Sequence, residues 1–194
     1  MIKDSIQVKS DAFATLFSSF GNEIEQRVRE HHEDHGGMSR YDKIPLYLEW
    51  AKQDATQAMV KNHCDQFSNL VTQAVIDSPW VHGVQDFLCQ HSTEKSFFLL
   101  TATPQEEIEE ILSALQIMGC FKGVFGAPIN KADAMGDIIK RYTIDIEEAI
   151  MIGDSKSDYF AAREHGVDFI LRKTRHNAEL QSVLECQMIE DFTK

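Results

Sequence analysis

The sequence lacks an apolar run long enough to cross a lipid bilayer, and no basic segment followed by an apolar one opens the chain. We therefore expect neither a membrane-spanning helix nor a secretory signal. The four cysteines (Cys64, Cys89, Cys120 and Cys186) lie far apart and form no Cys-x-x-Cys pair. This spacing favours free thiols in a cytoplasmic protein over a disulfide framework or a thiolate metal site.

Positive charge is also scarce. The 194 residues include 19 Lys and Arg against 31 Asp and Glu, which gives a net charge of −12. Nucleic acids and anionic membranes bind basic patches, so we predict that neither is a partner. A small anionic substrate is compatible with this charge, because a bound divalent cation reverses the sign locally.

The two halves of the chain differ in periodicity. The first half has the pattern of amphipathic helices, whereas apolar runs at 96–102, 122–128, 149–154 and 168–172 alternate with helical segments in the second half. Such alternation is typical of parallel βαβ units. We predict an α/β fold in which a helical block is joined, through a linker at 77–83, to a doubly wound sheet.

Several polar residues stand at the predicted carboxyl ends of strands, where open α/β sheets bind ligands. Thr101 ends the first strand, Lys131 follows the second, and Asp154 ends the third, with Asp158 one helical turn later. Paired carboxylates suit Mg²⁺, and a Lys ammonium suits a phosphate. Each residue also has a structural interpretation, as a turn residue, a helix cap or a solvated surface charge.

The two threonines of this segment have different explanations. Thr103 begins the sequence TPQE, which predicts a helix N-cap followed by Pro and Glu at the first and third helical positions. Thr101 has no such explanation. We expect its hydroxyl and the amide of Ala102 to face the mouth of the sheet, where both can donate to a phosphate.

In order and spacing these residues resemble motifs II, III and IV of the haloacid dehalogenase-like (HAD) superfamily. The segments FFLLTATPQEEI, FKGVFGAPINKADAM and AIMIGDSKSDYFAAREHGVDFI are most similar to its phosphoglycolate phosphatase and β-phosphoglucomutase-like branch. The resemblance covers nearly the whole chain and implies a HAD-like Rossmannoid parallel sheet with an inserted helical cap. The implied core domain comprises residues 1–6 and 77–194, and the cap comprises residues 7–76.

The same resemblance implies a Mg²⁺-dependent phosphohydrolase that acts on a small phosphorylated metabolite. In that reading Thr101, Ala102 and Lys131 bind the phosphoryl group, and Lys131 and Asp154 are catalytic. Asp154 and Asp158 hold Mg²⁺. The resemblance implies that the attacking Asp comes from upstream of Met1, and that the metal and Lys131 neutralise charge in the transition state.

A cap loop is expected to contribute the substrate contacts. The segment HGGMSRYDK, residues 35–43, is the best candidate, because a loop at this place carries a substrate-binding Arg in the resembling proteins. Ser39, Arg40 and Lys43 are therefore the predicted substrate ligands, with Arg40 clamping a second anionic group. For Arg40 and Lys43 a plain solvated surface position stays open as the alternative.

The first motif of the family, DxDG followed by apolar residues and DS, is absent. It supplies the nucleophilic Asp and the general acid–base Asp at the end of the central strand. Residues 1–5, MIKDS, align only with the end of that motif, and neither Asp4 nor Asp11 replaces the nucleophile. We therefore expect that the first, central strand is missing and that the chain as written is inactive.

Three explanations of this departure stay open: a start assigned downstream of the true one, which we favour, a truncated gene, and a relative that has lost its nucleophile. A non-catalytic protein that binds phosphate or a metabolite, and a sugar phosphomutase, are the alternative functions. Because strands 96–100 and 149–153 would both pair with the absent strand, we predict an apolar slot with unpaired backbone groups between them. The sequence does not indicate the oligomeric state.

Overall fold

The structure is a computed structural model that describes residues 1–193. Its first part is built of helices that pack side by side: α1 (Ile6–Phe17), α2 (Asn22–Asp34), α3 (Arg40–Trp50), α4 (Gln57–Asp77) and α5 (Val84–His91). Side-chain caps help to begin two of them, since Ser39 accepts from the Tyr41 amide and Thr56 from the Met59 amide. Within residues 1–193, no helix combines the length and the apolar character that crossing a membrane requires.

Aromatic side chains form the centre of the helical block. The ring of Phe13 in α1 stacks on that of Phe67 in α4, with 3.8 Å between the centroids. Tyr47 of α3 meets Phe13 edge-on at 5.5 Å, and all three residues are buried. Since aromatic side chains bury the largest apolar areas, this group joins α1, α3 and α4.

The second part alternates strands and helices, so the predicted α/β class is confirmed. Its elements are β1 (Phe97–Pro104), α6 (Gln105–Ala114), β2 (Phe121–Ala127), α7 (Lys131–Tyr142), β3 (Ile150–Gly153), α8 (Lys156–His165), β4 (Asp168–Arg172), α9 (Ala178–Val183) and β5 (Gln187–Ile189). All four predicted strands are present: 168–172 coincides with β4, and the ends of the other three differ by one or two residues. The short elements α9 and β5 were not predicted, because three to six residues carry too little periodicity.

The strands form two separate parallel sheets. β1 pairs with β2, and β3 pairs with β4, which in turn pairs with β5. Among residues 1–193, no strand pairs with the second edge of β1 or with the second edge of β3. The absence of a central strand from the protein itself stays a prediction.

Two hydrophobic clusters lie on the two sides of β1. Leu99 packs against a large cluster that runs from the helical block to Ile111 of α6. Leu100 packs against a smaller cluster that includes Met135 of α7 and Ala161 of α8. The larger cluster crosses the predicted boundary between cap and core, and the division into two domains stays a prediction.

The prediction of a capping box at Thr103 is wrong. Helix α6 begins at Gln105, its N-cap residue is Pro104, and Thr103 is buried in β1. The strand continues to Pro104 because it pairs there with Ala127 of β2. Gln105 strengthens this end of the sheet, since its side-chain oxygen accepts from the Gly126 amide at 2.6 Å.

A substitution in the aromatic centre tests this packing. We expect Phe67→Ala to lower the free energy of unfolding by about 3–5 kcal/mol, because it leaves a cavity under the ring of Phe13. Phe160→Ala is the matched control: Phe160 is 58% exposed on α8, and its loss should change stability by less than about 1 kcal/mol. Urea denaturation measures both, and equal effects would contradict the assigned core.

Candidate functional site

A cavity of about 940 Å³ runs alongside β1 and β3, and residues at and beyond their carboxyl ends line it. Of the residues singled out from the sequence, it is lined by Arg40, Thr101, Ala102, Lys131, Asp154 and Asp158. Ser39 and Lys43 do not line it. The strand-end residues therefore share one space, whereas the loop residues are divided.

The Asp158 carboxylate is surrounded by donors. Its Oδ1 atom lies 2.6 Å from the Lys131 Nζ atom, so the two form an ion pair. Its Oδ2 atom accepts from the Ser155 hydroxyl at 2.6 Å and from the amides of Ser155 and Asp154 at 3.1 and 3.3 Å. Asp158 is 3% exposed, and it forms a capping box with Ser155 at the start of α8. Both carboxylate oxygens are thus engaged within the chain.

A glycine at the end of β3 makes this arrangement possible. A Cβ atom on Gly153 would clash with the Asp158 side chain, including its carboxyl carbon. The absence of that atom lets the carboxylate pack directly against the strand end. The Gly-Asp-Ser-x-x-Asp part of the sequence is therefore explained by packing as well as by polarity.

Asp154 lies among cationic groups. Its Oδ2 atom is 3.3 Å from the Met1 amino nitrogen and 3.7 Å from Arg172 Nη1. Burial raises the pKa of the Asp154 carboxyl, but the positive charges of the Met1 amino group, Lys131 and Arg172 outweigh burial and hold the pKa below its usual value. Asp154 is accordingly ionised at neutral pH.

Arg172 and Asn177 belong to the site although the sequence reasoning missed them. Arg172 ends β4 and is 9% exposed, and among residues 1–193 its Nε atom has no hydrogen-bond partner. Asn177 donates to the backbone carbonyls of Asp154 and Arg172, both at 2.9 Å, and so ties the two strand ends together. The strand-end rule was sufficient to find Arg172, but no local signal marks Asn177.

Lys9 of α1 was also missed. It lines the cavity, and its pKa is lowered by burial and by the nearby positive charge of Arg40, against the opposing charges of Glu107 and Asp154. In the sequence it occurs within an amphipathic helix pattern, where a Lys is usually a surface residue. Only the position of α1 beside the cavity brings it to the site.

The Thr101 hydroxyl accepts one hydrogen bond within the chain and can still donate another. Its hydroxyl oxygen accepts from the Thr103 amide at 3.2 Å, which forms a local turn. The hydroxyl hydrogen is a separate donor, and it can be directed to a ligand in the cavity.

The loop expected to contact the substrate approaches the site through its backbone. The Ser157 hydroxyl at the start of α8 donates to the Gly37 carbonyl at 3.3 Å. Gly36, Gly37 and Met38 line the cavity. The helical block therefore closes against the strand ends at this loop.

Arg40 is held inside the protein. Its Nη1 and Nη2 atoms donate to the two carboxylate oxygens of Glu107 at 2.8 and 2.7 Å, and Nη1 also donates to Ser68 at 2.6 Å. Both charged side chains are nearly inaccessible to solvent. The alternative of a solvated surface position is wrong, and this pairing favours a role in joining α3, α4 and α6 over a role in binding substrate.

Lys43 and Ser39 likewise have partners within the chain. Lys43 is completely buried, and its Nζ atom lies 2.8 Å from His32 Nδ1. Burial, with a smaller effect of Lys9, lowers the pKa of Lys43 to about 7. Ser39 caps α3. The predicted substrate contacts of Ser39, Arg40 and Lys43 stay untested predictions, and we leave these residues out of the ligand set proposed below.

The donors available for a metal ion are few. In the part of the chain that the structure describes, no group of three or more His, Cys, Asp or Glu side chains is arranged to hold one. Mg²⁺ nevertheless needs only one or two carboxylates when waters and phosphate oxygens complete its shell. The Asp154 carboxylate fits that requirement, whereas Asp158 has no disengaged oxygen.

Comparisons with known proteins agree with this fold. The sequence model of haloacid dehalogenase-like hydrolases matches residues 2–172, and no curated protein sequence matches significantly. CbbY from Rhodobacter sphaeroides in complex with phosphate has a TM-score of 0.77 at 14% identity, over 100% of this chain and 91% of that chain. β-Phosphoglucomutase from Clostridium difficile has a TM-score of 0.77 at 16% identity, over 99% of this chain and 87% of that chain. A predicted phosphoglycolate phosphatase from Haemophilus somnus has a TM-score of 0.74 at 16% identity, over 98% of this chain and 90% of that chain.

The buried Lys43 generates a pH-dependent prediction. Its pKa is about 7 in the folded protein and about 10.5 in the unfolded chain. Between these values the unfolded state holds a proton that the folded state has released, so the free energy of unfolding rises with pH. We expect Lys43 to contribute a rise of at most about 1.4 kcal/mol per pH unit above pH 7.

Lys43→Met should remove this rise, because Met fills similar space without a titratable group. Lys61→Met is the matched control, since the Lys61 side chain is 76% exposed. Urea denaturation of the three proteins at several pH values above neutrality measures the slopes. An unchanged slope in Lys43→Met would show that the ammonium is not buried.

Proposed function

Since the chain belongs to the haloacid dehalogenase-like hydrolase family, we propose that its cavity is the phosphate-binding part of a phosphohydrolase site for a small phosphorylated metabolite. The observation that carries the proposal is the shared lining of one cavity by Thr101, Lys131, Asp154 and Arg172. These are a hydroxyl, two cations and a carboxylate, the groups that bind a phosphoryl group and its counter-ion.

Each proposed phosphate ligand has a distinct role. Lys131 is oriented by its 2.6 Å contact with Asp158, so its charge is positioned before a ligand arrives. Arg172 has an Nε–H without a partner in residues 1–193 and can donate to phosphate oxygens through its planar fork. The Thr101 hydroxyl and the Ala102 amide complete the proposed set.

Asp154 is the residue that would hold Mg²⁺, with phosphate oxygens and waters as the other ligands. When bound, the metal supplies charge neutralisation at the phosphoryl oxygens. The Asp158 carboxylate would act indirectly, because it holds Lys131 and the backbone of Asp154 in position.

A nucleophile is harder to assign among residues 1–193. Attack on phosphorus needs a carboxylate oxygen that is not already engaged. Both oxygens of Asp158 accept hydrogen bonds, and Asp154 faces the Met1 amino group and Arg172. We therefore propose that these residues bind phosphate without forming an aspartyl-phosphate by themselves.

This occupancy of both carboxylates favours a second candidate function. A non-catalytic protein that binds phosphate or a phosphorylated metabolite would need the cations and the hydroxyl but no free nucleophile. The two functions share the phosphate ligands and differ only in turnover, so binding and activity must be measured separately.

Inorganic phosphate binding tests the ligand set. We expect Lys131→Met to raise the dissociation constant for phosphate about 10- to 100-fold, the change expected for the loss of one charge-assisted hydrogen bond. Arg172→Gln should raise the dissociation constant as well. Lys61→Met, on the surface of α4, should leave it unchanged. Isothermal titration calorimetry measures the constants, and thermal unfolding verifies that the variants are folded. Folded Lys131→Met and Arg172→Gln proteins with wild-type affinity would overturn the phosphate site.

An activity assay separates the two functions. We expect the chain as written to show no Mg²⁺-dependent hydrolysis of p-nitrophenyl phosphate or of small sugar and acid phosphates. Fusion of an in-frame segment that contains an Asp-x-Asp-Gly motif upstream of Met1 should restore hydrolysis, and Asp154→Ala should abolish it again. An inactive fusion that still binds phosphate supports the non-catalytic function. Turnover by the unextended chain would contradict the proposed lack of a nucleophile.

A further inference from the structure

Two cysteines that the proposed function does not use lie against each other at the amino end of the β1–β2 sheet. Cys89 is in the last turn of α5, and Cys120 directly precedes β2. The Cys120 thiol donates to the Cys89 sulfur, and the Ser92 hydroxyl donates to the Cys120 sulfur. Because residues three apart share one face of a helix, Cys89 and Ser92 cover Cys120 together.

The pairing of the strands explains why these two cysteines meet although they are distant in the chain. β1 and β2 are parallel, and Phe97 at the start of β1 lies opposite Phe121 at the start of β2. The segments that lead into the two strands therefore lie at the same edge of the sheet. The ring of Phe87 in α5 contacts that of Phe97, with 5.6 Å between the centroids, and so holds α5 over this edge.

The two thiols are both free, and they differ in their access to solvent. Cys89 is exposed, whereas Cys120 is partly buried against the larger hydrophobic cluster. Burial raises the pKa of the Cys120 thiol and the adjacent Cys89 raises it further, although the Ser92 hydroxyl acts in the opposite direction. Since the accessible thiolate is the nucleophile, Cys89 reacts first with a dissolved oxidant, and Cys120 is placed to react second.

We propose that Cys89 and Cys120 form a reversible disulfide, a redox-sensitive site that a small-molecule disulfide such as oxidised glutathione closes. The Cys89 thiolate attacks one sulfur of the oxidant, whose S–S bond breaks, and one glutathione thiolate leaves. The Cys120 thiol then loses its proton to solvent, its thiolate attacks the Cys89 sulfur, and the second glutathione leaves as a thiolate. Two protein thiols are thereby oxidised, and one glutathione disulfide is reduced to two thiols.

The bond would close a loop of residues 89–120, which contains β1 and α6. It would tie the end of α5 covalently to the start of β2, where side-chain packing and the thiol hydrogen bond already join them. A closed loop restricts the unfolded chain, so the oxidised protein should be more stable than the reduced one. The site is separate from the proposed phosphate ligands, because Thr101 lies roughly 13 Å farther along β1 than Phe97.

Treatment of the full chain with oxidised glutathione tests the order of the two steps. We expect peptide mapping by mass spectrometry without reductant to show a Cys89–Cys120 link within one chain, with no glutathione retained at either residue. Cys120→Ser should instead retain glutathione on Cys89, because the second thiol is gone. Cys186→Ser, a change outside the pair, should form the same link as the wild type. A wild-type chain without this link, with glutathione retained on Cys89, or with the link only between two chains would overturn the proposal.

Thermal unfolding measures the consequence of the link. We expect oxidation to raise the melting temperature of the wild type by about 5–10 °C, and dithiothreitol to reverse this rise. Cys89→Ser should melt like the reduced wild type and should not respond to the oxidant. Both oxidation states should bind inorganic phosphate with the same dissociation constant. An equal or lower melting temperature of the linked protein would show that the native packing does not accommodate the bond, and it would overturn the proposal, as would a change in phosphate affinity.

Discussion

The Asp158 carboxylate satisfies four donors at the point where β3, α7 and α8 meet, and the arrangement of the candidate site depends on it. A buried carboxylate is stable only when its oxygens are paired in this way. Gly153 provides the space, and Lys131 provides the opposite charge. One group thus orients the proposed phosphate-binding cation and the backbone of Asp154 together, and loss of any member would disturb the others.

The strand β1 lies at the edge of its sheet, yet its side chains pack into the hydrophobic clusters on both of its faces. Among residues 1–193 it pairs with a strand on one side only, but Leu99 enters one cluster and Leu100 the other. Burial of Leu99 and Leu100 therefore holds the strand in place while its second edge borders the cavity.

The elements and the residue types at the strand ends could be predicted because they are encoded locally. Alternation of apolar runs with helical periodicity predicted the parallel strands, and Thr101, Lys131, Asp154 and Asp158 lie at or after the ends of such runs. The side-chain partners could not be read in this way. Arg40 pairs with Glu107, 67 residues away, so the residue expected to face a substrate is buried in the packing of three helices.

What the sequence alone determined is the α/β class, the positions of four strands to within two residues, and the presence of Thr101, Lys131, Asp154 and Asp158 near their carboxyl ends, since these depend on neighbours within a few residues. The tertiary structure decided which charges pair. It assigned both oxygens of Asp158 to donors, brought Arg172 and Lys9 to the cavity and separated the edges of β1 and β3. Ion pairs and strand pairing join residues far apart in the chain, and their geometry follows from packing rather than from local spacing.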